Sequence, residues 1–167
     1  MPNLTKSLTN REVSPENIES VLARGKALWE GIYQPHSTKL LHKLAESHPD
    51  LPVHILSSHY SANLSDPFGE SPTGGFKVGR VYTSIVAMTC LRAQQGVGPQ
   101  VTSHVFGLKK ANLEGGGGDG EAKVQGQDWL CSDEGVEWVL ESTDEISEVV
   151  AAGRTSFAGG PNRESKL

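Results

Sequence analysis

Cysteine is scarce in this chain of 167 residues: Cys90 and Cys131 are the only two, too few for a disulfide framework and wrongly spaced for a zinc ribbon. That scarcity fits a reducing, intracellular setting. No cluster of Lys and Arg is present either. The formal net charge is -5 and the pI is near 5.7, so nothing draws the protein to phosphate backbones or anionic lipid, and no nucleic-acid partner is expected. Long hydrophobic runs are also missing. The longest, around Ser84 to Leu91, falls far short of the roughly 20 residues that span a bilayer, and the polar N-terminus has no signal-peptide core. The chain is therefore expected to be neither secreted nor membrane-bound. Neither G-x-S-x-G nor a phosphate-loop lysine motif occurs, which removes the common hydrolase and NTPase readings.

What is present is globular in composition, with 36% hydrophobic and 21% charged residues, while 19 glycines and 9 prolines imply several loops. The length suits one domain. Residues 1–13 are polar and aperiodic and read as a flexible arm. A first helix is expected from Ser14 as N-cap and Pro15 at N1, carrying Ile18, Val21, Leu22 and Leu28, with Gly25 and Gly31 weakening it. A second runs from Ser37 to His48-Pro49, and Asp50 caps a third over about 52–64. The stretch from Gly69 to Gly75 is a loop. Val81, Ile85, Met88 and Leu91 then mark a central buried helix ending at Gly96, and Val101, Val105 and Leu108 mark the next, so the two form a hairpin around Gly98-Pro99. Leu113 to Gln127, with Gly115 to Gly118 in a row, reads as a flexible loop. A short helix follows around Val136 to Leu140, and a last one opens on a capping box, Ser142 with Glu145, and ends at Gly153. No strand alternation or repeat appears, and the fold class predicted is all-α.

Several motifs dissolve on inspection. Gly115, Gly117 and Gly120 match G-x-G-x-x-G, but no strand precedes them and no helix pattern follows. His36, His42, His48 and His54 recur every six residues, which is about 600° of helical rotation, so successive ones point about 120° apart and build no common ligand face. His54 and His59, five apart, miss the i, i+4 spacing of a helical zinc pair. No metal site is expected. Cys90, among apolar residues in the middle of a helix, reads as inert core with a raised pKa. His104 stands out because its helix is otherwise apolar on that side and begins at a tight turn. A partly desolvated imidazole has its pKa lowered, which suits a general acid or base, although a hydrogen-bonded core histidine is the alternative. Arg80, at the start of the preceding helix, faces the same site to hold a carboxylate or is a solvated helix-end residue. Gln100 lies at i, i+4 with His104.

Gly79-Arg80-Val81-Tyr82-Thr83-Ser84-Ile85-Val86-Ala87, followed by Gly98-Pro99-Gln100-Val101-Thr102-Ser103-His104-Val105-Phe106-Gly107-Leu108, resembles the carboxymuconolactone decarboxylase-like family, within the alkylhydroperoxidase D-like superfamily. The resemblance covers about residues 45–111. It implies a helical bundle around a central hairpin, with Arg80, Gln100 and His104 as catalytic residues and no cofactor. It also implies a homo-oligomer, a trimer or hexamer. The chain departs from the family in two ways. The C-x-x-C pair of the peroxidase branch is replaced by Val97 and Gln100, which argues against a two-thiol peroxide mechanism. The counterpart of the acidic helix of the decarboxylase branch, Glu145-Ile146-Ser147-Glu148, comes only after an insertion over about 112–141 that carries Trp129 and Trp138, a lid or a subunit contact.

The chain closes on Ser165-Lys166-Leu167, a peroxisomal address when free at a C-terminus, behind a Gly/Pro-rich stretch that holds it in solvent. A peroxisomal location and an import receptor as partner follow as expectations. The domain expected is 14–155, with 156–167 a flexible targeting tail. The function expected is that of a decarboxylase-like lyase acting on a small organic acid or lactone, with His104 moving a proton. The competing expectations are a non-catalytic oligomeric binding module and a peroxide- or redox-related protein.

Overall fold

In the computed structural model, residues 13–66, 78–113 and 123–151 are described. Among them every regular element is helical, in agreement with the all-α reading. The polyglycine run, most of the arm and the terminal tripeptide lie outside the described residues. In chain order the elements are α1 (Ile18–Tyr33), α2 (Ser37–Ser47), α3 (Leu51–His54) leading into a π-helix (Ile55–Leu64), α4 (Gly79–Gln94), α5 (Gly98–Leu113), α6 (Gln127–Leu130) and α7 (Asp133–Val150). They fall into two compact units. One joins the chain up to Trp29 with Thr38–Val78, and the other joins Glu30–Ser37 with the chain from Gly79 onward.

In the first unit, α1 follows a turn whose Ser14 carbonyl accepts from Asn17 N and Ile18 N. The apolar stripe expected on Ile18 and Leu22 is displaced, since both are exposed, and the buried line runs through Val21, Gly25 and Trp29 at i, i+4 and i+8. Gly25 is there for space. A Cβ on it would stand 2.1 Å from Ser61 Oγ and 2.6 Å from the Ser61 backbone, so α1 and the π-helix touch backbone to backbone. Trp29 and Tyr60 pack beside that contact edge to face, centroids 5.0 Å apart. The third expected helix spans nearly its expected length but widens after His54, with Ser65 N reaching back five residues to Tyr60 O. Asp50 does not cap it: its side chain makes no cap bond, and its N–H donates to His48 Nδ1. The wider turn also brings together two histidines five apart. The His54 and His59 rings meet edge to face at 4.9 Å, and His54 Nδ1 is paired with Ser58 Oγ.

In the second unit, α4 and α5 form the expected hairpin, closed by Gln95 (φ 62) and Gly96 (φ 75) in the left-handed region. Val81, Met88, Leu108 and Ala111 from the hairpin pack with Val136 and Val139 of α7 and with Cys131, while Ile85, Val101 and Val105 lie against them. The two last helices expected from the sequence are one. α7 starts at Ser132, whose side chain accepts from Gly135 N, and runs through the supposed capping box at Ser142 and Glu145 without a break. Val136, Val139 and the buried Thr143 keep one face against the core, so packing carries the helix past its internal start signal. α6 was not foreseen. Cys90 corrects the reading of an inert core thiol: it is exposed, and Cys131 is the buried one, because the inward face of α4 passes through Ser84 and Met88.

Gly25→Ala should lower the unfolding free energy by roughly 1–3 kcal/mol through overpacking against Ser61. An unchanged urea midpoint would contradict the backbone contact between α1 and the π-helix.

Candidate functional site

The hairpin buries polar groups along with its apolar ones. On α4, Arg80, Thr83 and Ser84 are all buried and stand at i, i+3 and i+4, on one face. On α5 the buried positions are His104, Gly107, Leu108 and Ala111. Gly107 admits the end of α1. A Cβ on it would lie 2.8 Å from Ile32 Cγ2, and Ile32 is 1% exposed. Lys110, one turn further along α5, donates to the carbonyls of Ile32 (2.6 Å) and Gln34 (2.7 Å), supplying charge and donors where the helix C-terminus leaves acceptors open. This docking sets Tyr33 on His104, Oη to Nε2 at 2.8 Å, with ring centroids 5.4 Å apart in an edge-to-face arrangement.

His104 is 3% exposed. Burial alone pushes its pKa down to about 4, so the imidazole is neutral at physiological pH. A neutral ring holds one proton. Either the Tyr33 hydroxyl donates to Nε2 and Nδ1 carries the hydrogen, or Nε2–H donates to Oη and Nδ1 keeps a lone pair. In both tautomers Nε2 is anchored, and Nδ1 is enclosed with no hydrogen-bond partner among the described residues. Thr83 Oγ1 and Ser84 Oγ are likewise enclosed and unpartnered among them. Elsewhere in the chain helical hydroxyls behave differently: Thr102, Ser103 and Thr143 each donate to a carbonyl one turn back. Arg80 is 3% exposed and runs beside Gly31. Its Cδ, Nε and Nη1 lie 3.9–4.0 Å from where a Cβ of that glycine would stand. Cys131 feels its charge: burial raises the thiol pKa, and Arg80 pulls the other way.

Of the residues read from the sequence, Arg80 and His104 are both buried in the unit built on the hairpin, and neither is a solvated surface residue. Arg80 lies in the first turn of α4 and His104 near the middle of α5, each at a buried position. Gln100 is exposed, one turn before His104. Glu145 and Glu148 are exposed on α7, and Glu148 lines an open cleft of about 470 Å³ with Arg92, Gly98, Val101, Asp144 and Ser147. The Trp129 and Trp138 rings meet at a tilt of 56° with centroids 5.5 Å apart and remain 41% and 54% exposed. Among the described residues no group of three or more His, Cys, Asp or Glu is gathered as metal ligands. None of their helices is long and apolar enough to cross a membrane. No family model, curated protein or solved structure matches this chain.

Sequence reasoning missed Tyr33, Thr83 and Ser84. Tyr33 is 71 residues from His104, and no local pattern links them. The two hydroxyls did leave a signal: Arg80 and Ser84 stand at i, i+4 beside the apolar stripe of Val81, Ile85 and Met88.

The buried imidazole makes stability depend on pH. Unfolded, His104 takes a proton near its ordinary pKa of 6.5; folded, it resists until about 4. The unfolded state therefore binds more protons between those values, and stability falls as the pH drops. The contribution is nil above pH 6.5 and levels off below 4 at roughly 3 kcal/mol. Urea unfolding at pH 7.5, 5.5 and 4.5 should show His104→Gln losing less stability on acidification than the native chain. Parallel curves would overturn the buried-neutral assignment.

Proposed function

We propose that the protein is an enzyme of the carboxymuconolactone decarboxylase-like kind, moving a proton on a small organic acid or lactone without a bound cofactor. The observation that carries this reading is the enclosed, neutral His104, with Nε2 held by Tyr33 and Nδ1 unpartnered among the described residues. In the tautomer where Nε2–H donates to Tyr33 Oη, Nδ1 is a general base. It takes a proton from a carbon next to a carbonyl, and the electron pair of the broken C–H bond moves into the carbonyl as an enolate. The imidazolium then returns the proton to the same carbon framework at another position, an isomerisation. In decarboxylation the electron pair left when carbon dioxide departs takes the proton instead. For isomerisation the ring enters neutral; for decarboxylation it must enter as the imidazolium, the form that the charge of an anionic substrate favours. Arg80 supplies a buried positive charge to orient a carboxylate. The exposed position of Gln100 gives it at most a place at the rim.

A non-catalytic oligomeric binding module is the second reading, favoured by the exposed apolar residues Trp138, Ile146, Val149 and Val150 along α7. The peroxisomal address rests on Ser165-Lys166-Leu167 alone. A fluorescent protein ending in residues 156–167 should collect in peroxisomes, and deletion of Leu167 should disperse it.

The deciding experiment is untargeted mass spectrometry of cell extract incubated with the native protein, His104→Ala and Tyr33→Phe, each shown to be folded. A metabolite should be consumed by the native protein and converted to an isomer or to a product lighter by carbon dioxide. His104→Ala should be slower by about 10²–10⁴-fold, with Tyr33→Phe between the two. Equal consumption by folded His104→Ala would sink the catalytic assignment, and no consumption by any of the three would favour the binding module.

A further inference from the structure

We propose that His54 and His59 are the two protein ligands of a divalent transition-metal ion, of the zinc, nickel or copper kind, bound on the face of the π-helix. The site lies in the unit that contains the π-helix and is independent of the proton-transfer reading. In an α-helix, residues five apart point about 140° away from each other. The helix over Ile55–Leu64 is a π-helix, and His54 enters it as N-cap with helical backbone angles. Its i to i+5 bonding brings residues five apart to one face. The two rings stand with centroids 4.9 Å apart and planes at 87°. A metal bonded at about 2.0–2.1 Å to an imidazole nitrogen is roughly 3.2 Å from the ring centroid, so two imidazoles in neighbouring positions around one ion stand roughly 4.5–5.2 Å apart, centroid to centroid. The observed separation falls inside that interval.

The surroundings favour ligation over a plain ring contact. Both histidines are exposed, so the contact keeps little surface from water, and the rings are free to turn their nitrogens toward one ion. His54 Nδ1 is paired with Ser58 Oγ at 3.3 Å. In the tautomer where Nδ1–H donates to that hydroxyl, Nε2 carries the lone pair that a metal takes, the way a ligating histidine is commonly held. No hydrogen bond engages His54 Nε2 or either ring nitrogen of His59 among the described residues. Imidazole nitrogens suit zinc, nickel and copper, whereas magnesium and calcium take oxygen ligands. The net charge of -5 draws cations in general. With two protein ligands, water completes the coordination. A π-helix is a rare winding that recurs at functional sites, and an ion bound only while His54 and His59 share a face stabilises that winding by mass action.

The test uses the full chain freed of metal by chelator and dialysis. Zinc chloride and nickel chloride are titrated by calorimetry, copper(II) is followed by electron paramagnetic resonance, and magnesium chloride is the control salt. One zinc ion should bind per chain, copper should bind more tightly than zinc or nickel, and magnesium should not bind. The copper spectrum should show nitrogen ligation that His54→Ala and His59→Ala each reduce. Both variants should keep the helix content of the native chain, since the side chains are exposed, and should bind zinc at least tenfold more weakly. Ser58→Ala should weaken zinc binding by about tenfold. His42→Ala, exposed on α2, should stay within twofold of native. Zinc should raise the melting temperature of the native chain and leave that of His59→Ala unchanged. The proposal is overturned by absence of saturable zinc binding, which would leave only a ring contact, or by native zinc affinity in His54→Ala or His59→Ala. An equal loss in His42→Ala would show binding scattered over surface histidines and also overturns it.

Discussion

The close approach of the α1 terminus to α5 is the constraint on which the candidate site depends. It needs the missing side chain of Gly107, which lets Ile32 lie against the helix, and it is tied by Lys110 across the carbonyls of Ile32 and Gln34. Only with that docking does Tyr33 reach His104. The consequence is chemical as well as structural. An imidazole closed off from water and given a hydroxyl instead of a carboxylate stays neutral, with its pKa near 4. A carboxylate partner in the place of Tyr33 would have favoured the cation and cancelled the effect of burial.

The hairpin that carries this site does two jobs with different faces. Val81, Met88, Leu108 and Ala111 join Val136 and Val139 in the apolar core, and burial at about 25 cal/mol per Å² supplies the stabilisation that tolerates enclosed polar groups. Arg80, Thr83, Ser84 and His104 draw on that stabilisation, each enclosed at a cost that a core of apolar residues would avoid. Natural cores keep such groups where they serve a purpose beyond folding. The salt bridge of Arg92 with Asp144, doubly hydrogen-bonded at 2.8 and 2.6 Å, ties α4 to α7 at the far end of the hairpin. Its partners are about half exposed, so it adds little to stability and chiefly fixes how α7 lies.

The unit built on the π-helix follows a different rule. Its contact with α1 is made by backbone at Gly25 and Ser61, and the large side chains, Trp29 and Tyr60, flank that contact. The extra residue per turn of the π-helix regroups its surface. His54 and His59, which an α-helix would set well apart, meet ring to ring. A spacing rule taken from the α-helix does not describe how these two rings meet.

Much of the helical plan was determined by sequence alone, because local signals set it. The i, i+4, i+7 run of Val81, Ile85 and Met88, the Gln95–Gly96 turn, Ser37 and the Pro49 stop all act within a few residues of themselves. The single buried histidine of the hairpin and the arginine at its start were legible for the same reason, as polar interruptions of apolar helices. Where local signals competed with packing, the sequence misled: the capping pair Ser142 and Glu145 lost to the continuous core face of α7, and Cys90 was assigned to the wrong side of α4. Tertiary structure alone decided which groups meet. Tyr33 comes to His104 from 71 residues away, and Gly25 and Gly107 serve as gaps through which neighbouring elements approach. Such pairings depend on the space left by the rest of the fold, and no periodicity records that space.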